Sequence, residues 1–145
     1  MRIESDKLGQ LEVDETTVLT FPQGLLGFDD ARRFALIDAH DAGVYFWLQS
    51  IDDPKLAFLT AVPWPFFADY EFELPDADRD ALGLTDDSDT SDTMVLCLLT
   101  VDRAVGDITA NLLGPLVINS ASRVGRQVVL SDPELTTRAR LEAAA

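Results

Sequence analysis

One cysteine and one histidine are all that the 145 residues offer of the two side chains behind most nucleophilic and metal chemistry. A lone cysteine builds neither a disulfide framework nor a thiolate metal site. Cys97 lies inside Met94-Val-Leu-Cys-Leu-Leu99, the setting of a small buried hydrophobe. His40 stands beside Asp41 in a turn, whereas a Ser-His-Asp triad needs an oriented and partly shielded imidazole. The sequence contains no His-Glu-x-x-His, no Gly-x-Ser-x-Gly and no phosphate-binding loop. Acids 86, 87, 89 and 92 invite a calcium reading, but an EF-hand loop starting at Asp87 would need glycine and glutamate where Asp92 and Leu98 stand. A glycosidase-like carboxylate pair needs a partly apolar cleft around one acid, and no such cleft is visible in the sequence. No catalytic residue, metal or cofactor is expected.

Positive charge is also scarce. Eleven lysines and arginines face 26 acids, for a formal net charge of −15. Nucleic-acid affinity comes mainly from Lys and Arg on phosphates, so direct nucleic-acid binding is not expected. The same sign repels anionic membrane surfaces. No apolar run approaches the ~20 residues that span a bilayer. The N-terminal MRIESDKLGQ lacks the apolar stretch of a signal peptide. The expected place is the cytoplasm. An acidic surface serves solubility alone, or complements a basic protein partner.

What the chain does have is hydrophobic residues, 47% of the total. That is enough for a real core at this length, in one domain spanning 1–145 with no internal repeat. Leu11-Glu-Val13-Asp14 alternates with period two, and 16–21 is rich in β-branched residues. Segments 34–39, 44–50, 56–62 and 93–101 read as strands, with Asp52-Asp53-Pro54 turning one hairpin. Segment 70–74 alternates again. A short helical turn is expected at 29–33, a helix at 76–82 behind Pro75, and another at 134–141 behind Pro133. Residues 86–92 read as an exposed acidic loop and 143–145 as a frayed tail. The pattern is mainly β: a barrel or sandwich of short antiparallel strands with two or three short helices.

The stretch 109–130, TANLLGPLVINSASRVGRQVVL, is less generic. Strands are expected at 115–119 and 127–130, joined by a turn over 120–126 with Gly125 near its end. Asn111, Asn119 and Gly114-Pro115 punctuate the apolar run. Proline cannot donate to a sheet ladder, and asparagine bonds to nearby backbone rather than favouring strands. Asn111 and Asn119 therefore satisfy turn backbone or take a polar recognition role.

This punctuation resembles the FliW family of flagellar assembly factors. So do Phe21-Pro-Gln-Gly24-Leu-Leu-Gly27-Phe28, close to that family's F-x-x-G-L-x-G-F, and the series Leu48-Gln49-Ser50, Ala57-Phe58-Leu59, Pro63, Phe66 and Asp69-Tyr70. The matches run in family order over most of the chain. Two departures are conservative: Ala110 stands where valine is usual, and Leu135 where an aromatic is common. The resemblance implies a compact β-barrel-like domain that is not an enzyme. It implies two exchangeable protein partners, flagellin before export and the RNA-binding repressor CsrA, whose repression of flagellin translation is relieved allosterically. The free protein is expected to be a monomer. A flagellin-only chaperone, or a small-ligand or enzymatic protein on the same scaffold, are the alternatives.

The candidate partner-binding residues are Trp64, Asp69, Tyr70, Glu71, Glu73, Asn111, Pro115 and Asn119. On an extended segment Asp69, Glu71 and Glu73 share one face, and Tyr70, Phe72 and Leu74 the other. That is an ordinary half-buried strand, or an acidic, partly aromatic edge for a basic partner. Trp64 is bracketed by Pro63 and Pro65, which push its side chain outward. Phe28 and Phe58 read as core.

Overall fold

Strands with one apolar face must bury it, and here they do so by closing on themselves. The computed structural model describes residues 1–39, 43–84, 93–102, 104 and 106–141. The turn at His40-Asp41, the acidic loop 86–92 and the tail 143–145 lie outside the described residues. A hairpin of β1 (Arg2–Ser5) and β2 (Gly9–Glu12) leads through a 3-10 turn (Glu15–Thr17) to β3 (Leu19–Thr20), β4 (Arg33–Asp38), β5 (Tyr45–Ser50) and β6 (Ala57–Ala61). Helix α1 (Asp76–Ala81) precedes β7 (Thr93–Asp102), β8 (Asp107–Ala110), β9 (Leu116–Asn119), β10 (Val124–Gln127) and β11 (Ala139–Arg140). Strands pair in the order β7-β6-β5-β4-β3-β10-β9, and β9 returns to β7. Seven strands thus close a barrel, while β8 and β11 extend the sheet beyond β7. The pairings are antiparallel except β3 with β10. The fold is mainly β, as the strand pattern predicts, and of the two architectures that pattern left open it is the barrel.

The barrel is filled by Leu19, Phe21, Leu25, Phe34, Leu48, Leu96, Leu116 and Ile118. Phe21 and Phe34 meet edge to face, with ring centroids 5.6 Å apart. Burying each such ring contributes about 1.5–3 kcal/mol. The Leu48-Gln49-Ser50 motif holds a turn: the buried Gln49 donates from Nε2 to the carbonyls of Ser50, Asp53 and Leu56 at 3.1, 3.3 and 3.1 Å.

β7 is the seam. Its residues 93–96 pair with β9 and its residues 99–102 with β8, both antiparallel. On the opposite edge Cys97 and Leu98 pair with β6. β8 and β9 therefore form one interrupted strand along one edge of β7. Between them residues 111–115 span the gap opposite Cys97 and Leu98: the Asn111 N–H still reaches the Leu98 carbonyl at 2.9 Å, and the chain then swings out as a wide bulge. Asn111 makes this possible. Its Oδ1 accepts from the N–H groups of Leu113 (3.1 Å) and Gly114 (2.9 Å), which the ladder no longer serves. Pro115 has no N–H to lose and re-enters at the start of β9.

Several expected boundaries change. The β9–β10 turn is shorter than expected, covering 120–123. Asn119 Oδ1 takes the N–H groups of Ala121 and Ser122 at 3.0 and 3.3 Å, and Arg123 adopts a φ of 59°. Gly125 is thereby inside β10 rather than in the turn. It is glycine because the Phe21 ring occupies its side-chain space: a Cβ there would lie 2.6 Å from Phe21 Cε1. The expected helix at 134–141 is absent. Its C-terminal part is β11, which pairs with the open edge of β8, an instance of tertiary pairing overriding local propensity. The helical turn expected at 29–33 is a non-helical turn followed by β4, and the 16–21 strand shrinks to β3 behind the 3-10 turn. Segment 70–74 is not in any sheet.

Replacing Gly125 with alanine should lower stability by about 1–3 kcal/mol through overpacking against Phe21. A fall in the urea midpoint at constant m-value checks this. Burial pushes the Cys97 thiol up from its ordinary 9.0 to about 12. Unfolding would release the thiol to ionise near 9.0, so its contribution to stability is intact below that pH and is lost as pH rises towards 12. At neutral pH, Cys97 should react with a thiol reagent only at the rate of unfolding, which a stopped reaction series followed by mass spectrometry measures.

Candidate partner-binding surface

Between β6 and β7 the chain crosses the barrel as a strap over residues 63–84. Pro63 starts it, and its carbonyl accepts from the N–H groups of Phe66 and Phe67 at 3.0 and 2.9 Å. The strap then runs extended to Pro75. Tyr70 is buried, Glu71 exposed, Phe72 half-buried, Glu73 exposed and Leu74 half-buried. This alternation is the period of an extended chain, so acids and apolar groups separate as the sequence predicts although no ladder forms. Pro75 caps α1, whose first turn carries Asp76 and Asp78, where negative charge suits the helix dipole. Gly83, at a φ of 69°, turns the chain out of the helix.

Both ends of the strap are fastened. At one end the Tyr70 hydroxyl donates to the Leu112 carbonyl, 2.7 Å away in the bulge of 111–115. Tyr70 packs with Cys97, Ala110 and Leu112, and burial pushes its phenol well above the usual tyrosine range. Phe72 lies 5.5 Å from the Tyr70 ring. At the other end Asn119 Nδ2 donates to the Leu82 carbonyl at 2.9 Å, and Arg126 Nε to Asp78 Oδ1 at 2.6 Å. Leu82 and Leu84 are buried with Val95, Val117 and Val128, and Phe72 and Leu74 pack on that cluster.

The eight residues predicted from sequence divide into two groups. Asp69, Glu71, Glu73 and Trp64 lie on the outside of the strap. Trp64 is 42% exposed, with its Nε1 donating to the Tyr70 carbonyl at 2.8 Å. Tyr70, Pro115 and Asn119 are buried, and the Asn111 side chain is engaged within the bulge. These four hold the strap or the bulge behind it. Sequence reasoning missed the apolar groups left outside. Leu26, 63% exposed, forms the tip of a tight turn in which Leu25 and Phe28 exchange both backbone hydrogen bonds. Phe28, read as core, is 43% exposed and rests against Phe58 at 5.1 Å. The paired glycines Gly24 and Gly27, both at positive φ, were the available signal for such a protruding turn.

The described acids divide into engaged and unengaged, and those on the outside of the strap are unengaged. Asp14, Asp53, Asp102 and Asp132 accept backbone N–H groups in local turns. Glu12, Asp52, Asp78 and Asp107 pair with arginines. Asp69, Glu71 and Glu73 make no ion pair or hydrogen bond through their carboxylates among the described residues. Among those residues, no group of three or more His, Cys, Asp or Glu side chains is placed to hold a metal ion. No helix there is long and apolar enough to cross a membrane.

Comparison with known proteins agrees over nearly the whole length. The family model described as FliW protein matches residues 2–141. The flagellar assembly factor FliW of Natranaerobius thermophilus is 35% identical over 139 residues, covering 95% of this chain and 90% of its own. That of Heliobacterium modesticaldum is 37% identical over 141 residues, covering 97% and 90%. A crystal structure of the flagellar assembly factor FliW superposes with a TM-score of 0.86 at 33% identity, covering 99% of this chain and 98% of that one.

Tyr70→Phe should cost about 1–3 kcal/mol, since it leaves the Leu112 carbonyl buried without its donor. Glu71→Gln, on the outer face, should stay within about 0.5 kcal/mol of the parent. Urea unfolding of the two variants side by side tests whether the strap has a holding face and a free face.

Proposed function

Because the chain belongs to the FliW family, we propose that this flagellar assembly factor works without catalysis, by binding two proteins in exchange. One is newly made flagellin. The other is the RNA-binding repressor CsrA. Export of flagellin frees the protein to bind CsrA and so relieves repression of flagellin translation. This takes place in the cytoplasm, and the free protein is a monomer. The action on CsrA is allosteric, which requires an unfavourable coupling between its two ligands of about 1–3 kcal/mol.

The observation that carries this reading is the outer row Asp69, Glu71 and Glu73 beside the exposed Trp64. Unengaged acids on a segment whose Tyr70 carbonyl holds an exposed tryptophan fit a basic protein surface, with the ring as an anchor of the kind that dominates interfaces. A net charge of −15 adds long-range attraction for a basic partner and repulsion of the RNA that such a partner carries. The charge acts mainly on the rate of encounter.

A binding assay with purified flagellin and purified CsrA, separately and in competition, tests the exchange directly. Binding of both, with each displacing the other, is the expected result; binding of flagellin alone reduces the role to that of a chaperone. The association rate with CsrA should fall about tenfold or more from low to physiological ionic strength. A rate indifferent to salt would count against electrostatic docking. Glu71→Lys or Asp69→Lys should weaken CsrA binding without changing the unfolding midpoint.

A further inference from the structure

The strap between its fastened ends carries an unused pairing edge. Among the described residues, the main-chain N–H and C=O groups of Glu71, Phe72, Glu73 and Leu74 make no hydrogen bond. Their side chains alternate between solvent and core, so the backbone here has the shape of a strand without a neighbour. Buried main-chain groups would need partners; these are tolerated because the segment lies at the surface, where water serves them.

We propose that residues 71–74 form a docking edge for an extended, lysine- or arginine-rich segment of a protein partner, which adds to the strap as a β-strand. Main-chain bonding supplies the geometry of such strand addition, and alternate side chains supply its selectivity. Glu71 and Glu73 project from this edge with no counter-charge, so the added strand is selected by basic side chains opposite them. The same glutamates exclude a second copy of this chain. Two such edges would set carboxylates against carboxylates, which is how exposed edges are kept from pairing with themselves. Nucleic acid is excluded by sign. The proposal rests on the reading that the protein acts by binding a basic protein partner, and adds the mode in which it is held.

The test uses the full chain and a short synthetic peptide in which lysine alternates with threonine. Amide hydrogen exchange at 71–74, fast in the free protein, should slow at least about tenfold when the peptide is bound. N-methylation of alternate peptide bonds along either edge of the peptide gives two further probes, one of which should bind at least about tenfold more weakly. The double variant Glu71→Gln, Glu73→Gln should lose affinity for the lysine peptide while keeping the parent's unfolding midpoint. Unchanged affinity of both methylated peptides, or absence of protection at 71–74 in the bound state, overturns strand addition. So does failure of the lysine peptide to bind. If flagellin or CsrA binds without protecting 71–74, strand addition fails while the assembly-factor reading stands. If the peptide binds and protects these amides but neither protein binds, strand addition stands and the assignment of partners falls.

Discussion

The structure depends on a single strand having two successive partners along one edge. β7 closes the barrel through β9 and continues past it to hold β8. Nothing in a plain ladder allows both, because β8 and β9 would have to run on as one strand. The bulge at 111–115 resolves this by taking five residues across a gap of two, Cys97 and Leu98. An asparagine carboxamide stabilises it by serving two N–H groups that left the ladder, each worth about 0.5–1.5 kcal/mol net. The bulge then serves as an attachment point. Tyr70 hangs the strap from the Leu112 carbonyl, Leu112 N–H reaches Thr136, and Leu130 N–H reaches Leu113. Gln127 links it onward, donating to the Gly114 carbonyl while its Oε1 accepts from Leu26 in the tight turn. The segments that stand out in the sequence are bound to one another here.

That arrangement separates the residues that mark the family from the surface proposed to meet partners. Asn111, Pro115 and Asn119 are distinctive because few residues can end, interrupt or restart a ladder. Their side chains are consumed in doing so. Asp69, Glu71 and Glu73 are ordinary residues on the outside of the strap, and their carboxylates hold nothing in the barrel. A surface that meets partners has to be free in this sense. A distinctive motif in a small β protein therefore points first to the difficult places in its backbone.

Much of the architecture was legible. Aromatic and strongly apolar runs mark β5, β6 and β7 because those strands are long enough for the pattern to register. Three departures have physical causes that one sequence does not display. Gly125 looks like a turn residue, and only the Phe21 ring pressed against it explains a glycine inside β10. Residues 134–141 carry helix-start chemistry in Pro133, but the open edge of β8 takes up Ala139 and Arg140. Segment 70–74 has the alternation of a strand, and the separation of its faces is as read. Whether a ladder forms depends on a neighbour elsewhere in the chain. The surface was legible to the same degree: the acids lie outside as the alternation requires, whereas Leu26 and Phe28 were hidden by an apolar motif that reads as core.

The strap is an extended chain held by its side chains rather than by its backbone. Tyr70 fastens one end, Asn119 and Arg126 the other, and Phe72 and Leu74 rest on the barrel between them. A ladder strand offered to a partner has one edge occupied and gains rigidity from it. Here rigidity comes from below, through packing, so the main chain is fixed in place with its hydrogen-bonding groups still in water. A partner that pairs with it displaces water alone and breaks no internal bond. The entropy of ordering the segment is already met by the fold, which leaves more of each new contact as affinity. The acids above it keep that opportunity from being taken by a second copy of the same chain.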